Sequence, residues 1–189
     1  MSIGVALPAS WRTVDLDPLT RQQSMVRLVE EAISSGDGAD RSRALMLEML
    51  RQAADEAVRV DAVVIAVYSA AADGIPLAGS LVASLKEATP PSSGGLLPDG
   101  KAMADSLEAT LKADGATRLD LPAGPGIRVR SRQASGERSP LEVENVQWYV
   151  LHPTGARLAL LSFSTPNLAL AEPFGEVFDA IAWSLQWME

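Results

Sequence analysis

Two periodicities, alternation and a three-to-four-residue stripe, divide the chain into elements. Trp11-Arg12-Thr13-Val14-Asp15-Leu16 alternates and predicts a short strand. Asp17-Pro18 then supplies an N-cap residue followed by proline, the signature of a helix start. Beyond it Met25, Leu28, Val29 and Ala32 recur on one helical face, with Arg27 and Glu31 one turn apart on the other. Ser34-Ser35-Gly36-Asp37-Gly38 ends that helix. A second is predicted from Asp40 to Val60, with Leu45, Met46, Met49, Leu50, Ala53, Ala57 and Val60 as its apolar stripe. The two form an expected antiparallel pair.

Val63 to Tyr68 is apolar at both parities, which predicts a central strand covered on both faces. Leu77 to Lys86 alternates, with Leu77, Leu81, Ala83 and Leu85 on one side and Ser80, Ser84 and Lys86 on the other. Thr89 to Gly100 reads as a loop, rich in Pro, Ser and Gly, whose apolar side chains are Leu96 and Leu97. A loop of that length in a compact domain points to a mobile or functional segment. A helix follows from Lys101 to Asp114, burying Met103, Leu107 and Leu111 and stopping at Gly115. Strands are then predicted at 118–121, 127–133, 142–151 and 157–163, separated by Ala123-Gly124-Pro125-Gly126, Ser135-Gly136 and Pro153-Thr154-Gly155. The last predicted helix runs from Ala171 to Met188 and turns Phe174, Val177, Phe178, Ile181 and Leu185 toward the sheet. Helices mixed with antiparallel strands, without a linker or repeat, predict one α+β domain over residues 1–189.

Composition narrows the function classes. The chain is 47% hydrophobic, enough for a sizeable core. Its net charge of −8 opposes phosphate neutralisation, so nucleic acid is not an expected partner, and an anionic membrane surface is disfavoured for the same reason. The apolar stretch Ala62–Leu85 is broken at its centre by Asp73-Gly74-Ile75-Pro76, so a turn between strands explains it better than a membrane span. The N-terminus lacks a basic region before its apolar residues, and a cytoplasmic location is the expectation.

Candidate chemistry is sparse. Without cysteine there is no disulfide, thiolate or Cys-based zinc site, and with His152 as the single histidine no transition-metal site is expected. Gly95 to Ala102 approaches a phosphate-binding loop. However, Ala102 stands where a Ser or Thr hydroxyl would hold magnesium, Pro98 lacks a backbone donor, and Asp99 adds negative charge. His152 has no Gly-x-Ser-x-Gly partner and reads as a turn-edge residue. The carboxylate pairs Glu30-Glu31, Asp55-Glu56 and Glu142 with Glu144 read as solvated charges. No catalytic residue, cofactor or metal is assigned.

The candidate partner surface is Leu96, Leu97, Trp183, Trp187, Arg128, Arg130 and Arg132. The three arginines share one strand face. They could meet an acidic partner. Alternatively, a turn centred near Gly136-Glu137 places Arg132 opposite Glu142 and Arg130 opposite Glu144 as ordinary cross-strand pairs. Trp183 and Trp187 stand four apart and flank the last helix's stripe, where they would pack or line a groove. Trp148 shares a face with Val146 and Val150 and is expected in the core.

Trp11-x-x-Val14-x-Leu16-Asp17-Pro18, Leu160-Leu161-Ser162-Phe163-Ser164-Thr165-Pro166-Asn167 and Phe174-x-x-x-Phe178-x-x-Ile181-x-x-Ser184-Leu185-x-Trp187 together resemble the PsbP-like fold. The motif match is specific over residues 160–187; elsewhere the order of elements matches, and the helical pair at 18–60 departs from the simplest version. The Ala-rich composition looks like an actinobacterial member. This resemblance implies a curved antiparallel sheet with helices packed on its faces. It implies no catalysis and no shared catalytic residue. Members bind proteins: a small GTPase, a photosystem, or effectors escorted by type VI secretion chaperones. The expectation is a non-enzymatic protein-binding module, an adaptor or chaperone-like factor of a secretion or envelope system, contacting its partner through an open sheet face and the loop 89–100. A small-molecule carrier with an apolar cavity between sheet and helices is the alternative, and a carboxylate enzyme with raised pKa values the third. Homodimerisation through sheet edges or helices is compatible with the pattern.

Overall fold

The computed structural model describes residues 1–17, 19–32, 39–72, 75–87, 99–112, 115–134 and 142–189. Leu96 and Leu97, with most of their loop, lie outside the described residues, as does the turn around Gly136.

Seven strands form one antiparallel sheet: β2 (Trp11–Thr13), β3 (Ala62–Ala72), β4 (Ile75–Glu87), β5 (Thr117–Leu121), β6 (Gly124–Ala134), β7 (Glu142–Leu151) and β8 (Arg157–Thr165). Their order is β2-β3-β4-β8-β7-β6-β5. The consecutive hairpins from β5 to β8 make the expected meander, and β8 closes the sheet against β4. Among the described residues four helices accompany it: α1 (Arg21–Ala32), α2 (Ala39–Arg59), α3 (Gly100–Leu111) and α4 (Ala171–Trp183). The architecture is α+β. Two terminal strands, β1 (Ser2–Gly4) and β9 (Gln186–Met188), pair with each other in a separate ribbon.

Side-chain alternation sorts the helices onto the two faces. On one face Ala66, Leu81, Ala83, Leu161, Phe163, Val146 and Trp148 meet Phe174, Phe178, Ile181 and Ala182 of α4. On the other, Ile65, Val67 and Val82 meet Met25, Leu28 and Val29 of α1 and Leu50, Ala53, Ala54 and Ala57 of α2. Further along that second face Ile127 and Leu151 receive Ala104 of α3. β3 is therefore covered on both sides, as its continuous apolar run predicts, although it lies one strand from the edge rather than at the centre. Ser80 and Ser84 are buried, since α2 lies over the polar parity of β4; Ser80 Oγ meets Ser164 Oγ at 2.7 Å.

The Ser-Thr-Pro-Asn turn after β8 has a structural task. Thr165 Oγ1 donates to Ala78 C=O at 2.7 Å, and Asn167 Oδ1 accepts from Ala78 N–H at 2.8 Å. These side chains satisfy the edge of β4 where β8 ends, as an unpaired buried peptide group requires.

Three expectations need correction. The last helix stops at Trp183. Ser184 ends it, with its Oγ donating to Ile181 C=O at 2.7 Å and accepting from Ala6 N–H at 2.8 Å. The following residues extend to pair with the N-terminal strand, so Trp187 is not on a helix. The β5–β6 turn is Pro122-Ala123 alone, with Gly124, Pro125 and Gly126 already inside β6. The first strand ends at Thr13, and α1 begins at Arg21; Asp17 caps the intervening turn, its Oδ1 accepting from Leu19 N–H at 2.9 Å.

Candidate functional site

Five aromatic residues gather at one corner of the α4 face. The chain has three Phe, four Trp and two Tyr. All three phenylalanines join Trp11 and Tyr68 there. Phe178 stacks on Phe163 with centroids 4.8 Å apart and meets Trp11 edge-on at 6.2 Å. Phe174 meets Phe178 at 5.7 Å and Tyr68 at 5.9 Å, and Tyr68 meets Trp11 at 6.2 Å. Separations of this size are favourable for aromatic pairs. Gly79, on the strand beneath, leaves Phe174 room, since a Cβ there would lie 3.2 Å from its ring.

The cluster does not fill the corner. A groove of 310 Å³ remains, lined by Pro8, Ser10, Trp11, Tyr68, Leu77, Leu170, Pro173, Phe174 and Val177. No lining side chain is charged. Val177 and Leu170 stay about a third exposed, at 37% and 38%, and so form the rim. The sequence pattern turned Val177 toward the sheet; it points instead to this opening. Trp183, 46% exposed, stands further along the same helix, outside the groove lining. Trp187 lies apart from both: its Nε1–H donates to Ala123 C=O at 2.8 Å, and His152 packs edge-on against its ring at 5.1 Å.

The arginine stripe is fully engaged. The register places Arg132 opposite Glu144, Arg130 opposite Val146 and Arg128 opposite Trp148. This is two residues from the expected pairing, and Glu142 faces Ala134 instead. Glu144 is not a solvated charge. It is 4% exposed, because it shares the face of Val146 and Trp148, and it accepts from Arg130 Nε at 3.1 Å and Arg132 Nε at 2.8 Å. Helix α4 supplies the remaining partners. Arg130 also reaches Glu172 at 3.0 Å, while Asp179 accepts from Arg128 and from the indole of Trp148. Three carboxylates thus answer three guanidinium groups, and the stripe fastens α4 to the sheet. Replacing Glu144 with Gln is expected to cost about 2 kcal/mol, since the amide leaves one acceptor oxygen for two charged donors and removes the charge that pairs them at a buried position. Urea unfolding with an unchanged slope measures it.

Glu172 is held below the usual carboxylate range, first by its hydrogen bond from Arg130 and then by that residue's charge. Asp15 is also lowered, chiefly by the hydroxyl of Thr20, which donates at 2.6 Å. A depressed folded-state pKa favours the folded chain above the unfolded value and loses that contribution as pH falls through the folded one. Glu172→Gln should therefore flatten the loss of melting temperature between roughly pH 6 and pH 3, a difference readable by thermal scans. The carboxyl shifts resolved among the described residues are downward, opposite to the raised values that acid–base catalysis by carboxylates would need.

The phosphate-loop-like segment is capped by its own chain. Asp99 Oδ1 accepts from Ala102 N–H at 2.8 Å, placing a carboxylate on one of the amides that a phosphate would use. His152 lies in a turn with Nδ1 2.8 Å from Thr154 Oγ1, as a turn-edge histidine should. Among the described residues no group of three or more His, Cys, Asp or Glu gathers as a metal site, and no helix is long and apolar enough to cross a membrane.

No sequence signal marked the groove. Its lining comes from the N-terminal turn, three strands, and α4 with the residue before it, and these meet only when the sheet assembles. Of the expected partner surface, Leu96 and Leu97 fall outside the described residues, Arg128 and Arg130 are tied to α4 while Arg132 stays exposed and paired with Glu144, and the two tryptophans are separated.

No family model and no curated protein matches the chain. Among solved structures it is similar to a Bacteroides thetaiotaomicron protein, at 12% identity and a TM-score of 0.44, over 99% of this chain and 45% of that one. It is also similar to the solution structure of cyanobacterial PsbP from Synechocystis, at 12% identity and a TM-score of 0.35, over 65% of this chain and 82% of that one. The chain thus spans less than half the length of the first of these.

Proposed function

We propose that this chain is a non-enzymatic protein-binding module and that the groove between α4 and the β2–β3 corner receives an apolar segment of its partner. One observation supports the reading above others. The groove is built mostly of aromatic, proline and aliphatic side chains, has no charged side chain in its lining, and opens to solvent along Leu170 and Val177. Apolar anchors in aromatic pockets dominate protein recognition, and a half-open groove suits a side chain presented from another surface. A role as an adaptor or chaperone-like factor of a secretion or envelope system rests on the sequence resemblance alone, and a cytoplasmic location on the N-terminal sequence.

The second reading is a small-molecule carrier. A volume of 310 Å³ is at the lower end of ligand pockets, so the space admits it. The two readings separate in one experiment. Displayed peptide libraries selected on the wild-type chain should yield apolar consensus peptides, and Val177→Glu should weaken them at least tenfold by placing a charge at the rim. Val177 is partly exposed, so the fold should be retained, which circular dichroism checks. A wild type that selects no peptide but retains a small apolar molecule in native mass spectrometry overturns the module in favour of the carrier.

A further inference from the structure

Among the described residues the edge of β3 beside the groove is open. Val14 N–H donates to Ile65 C=O at 2.9 Å. Hydrogen-bonded positions alternate along an antiparallel ladder, so Ile65, Val67, Ser69 and Ala71 direct their backbone groups toward β2. Ala66, Tyr68 and Ala70 direct theirs toward β4. The inner side is occupied as far as Ala72, opposite Ile75. Among the described residues the outer side is not. β2 ends with Trp11 opposite Tyr68, because the chain folds back in a turn closed by Trp11 N–H to Pro8 C=O at 2.9 Å. Among the described residues no strand lies opposite Ser69 and Ala71. Ser69 and Ala70 are half-buried.

Exposed edges are ordinarily protected by charge, proline or a bulge. Residues 69–72 are Ser-Ala-Ala-Ala, and the β3–β4 register is regular there. Nothing in this segment discourages an added strand.

We propose that this edge and the groove form one site, which binds an extended segment of a partner protein as an additional strand alongside β3. The proposal rests on the groove being a protein-binding site and names how the partner is held. Such a strand continues the β2–β3 ladder, giving its backbone to Ser69 and Ala71. Its residue opposite Ala70 projects to the α4 face, as Tyr68 and Ala70 do, and so enters the groove beside Leu77, whose partner on β3 is Ala70. The uncharged lining makes that residue apolar. Its two neighbours point to the other face and are free to vary. Recognition is thus mostly main-chain, with one apolar anchor.

The test uses the full chain and a panel of capped seven-residue peptides of alternating threonine and valine, carrying leucine, phenylalanine, tryptophan or aspartate at the centre. Amide hydrogen exchange of Ser69 and Ala71 is followed by NMR. The expected result is fast exchange in the free chain and protection with an apolar-centred peptide, but not with the aspartate peptide. N-methylation of either residue flanking the centre should weaken binding roughly tenfold, the loss of a backbone hydrogen bond, whereas N-methylation of the central residue should not. Peptides that shift the Trp11 and Phe174 resonances without protecting Ser69 and Ala71 would overturn the added strand and leave the groove reading standing. Protection in the free chain that grows with protein concentration would overturn it in favour of a second copy at this edge. No binding by any apolar-centred peptide at millimolar concentration would overturn both.

Discussion

Phe178→Ala should lower the unfolding free energy by about 4 kcal/mol. The ring is fully buried, stacked on Phe163 and bordered by Trp11 and Phe174. Its removal leaves a void between α4 and the sheet that neither can close, because the arginine–carboxylate contacts hold the helix at a set height. For a domain whose total stability is on the order of 10 kcal/mol, that is a large fraction. Urea midpoints should fall with the slope unchanged. A loss below about 1.5 kcal/mol would show that the corner collapses around the missing ring and is not tightly packed. A double-mutant cycle with Phe163→Leu should return a coupling of about 1 kcal/mol, the share of the stacked contact.

Gly124→Ala should cost about 3 kcal/mol, for a different reason. Gly124 has φ +136°, a region that side chains oppose, and its added Cβ would stand 2.2 Å from the carbonyl oxygen of Leu151. That oxygen is backbone, on a strand end whose residue is buried, so it cannot swing aside as a side-chain tip would. The hairpin of β5 and β6 would have to lift from the end of β7. Gly115 provides the control. It also has positive φ, +74°, yet a Cβ there meets nothing within 4 Å. Gly115→Ala should cost only about 1 kcal/mol, the conformational term by itself. Equal losses at the two positions would mean that close approach contributes nothing at Gly124.

The periodic elements were legible because alternation and the helical stripe report burial directly. Met25, Leu28 and Val29 on α1, Leu50, Ala53 and Ala57 on α2, and Val146, Trp148 and Val150 on β7 are buried as their spacing requires. The ends of elements were not legible, since neighbours from distant sequence decide them. Phe174 to Trp187 keeps helical spacing throughout, but Ser184 accepts from Ala6, and Gln186–Met188 finds Ser2–Gly4. Pairing between the two ends of a chain leaves no local pattern. Glu144 illustrates the same limit for charge. Its alternation with Val146 and Trp148 places it inside, yet a carboxylate is read as solvated until its two arginines are seen beside it.

The candidate site was the least legible part. By itself the sequence determined an acidic, cysteine-free α+β chain, its meander of strands, most of its core faces, and a chemistry too sparse to name a catalyst. Those are properties of composition and of spacing within one element. The tertiary structure alone decided that Trp11, Tyr68, Phe174 and Val177, from segments far apart in the chain, surround a groove, and that β3 outruns its neighbour by Ser69 to Ala72. A groove is space left between elements, and an open edge is a strand without a partner; both depend on where other segments stop, which no local periodicity encodes.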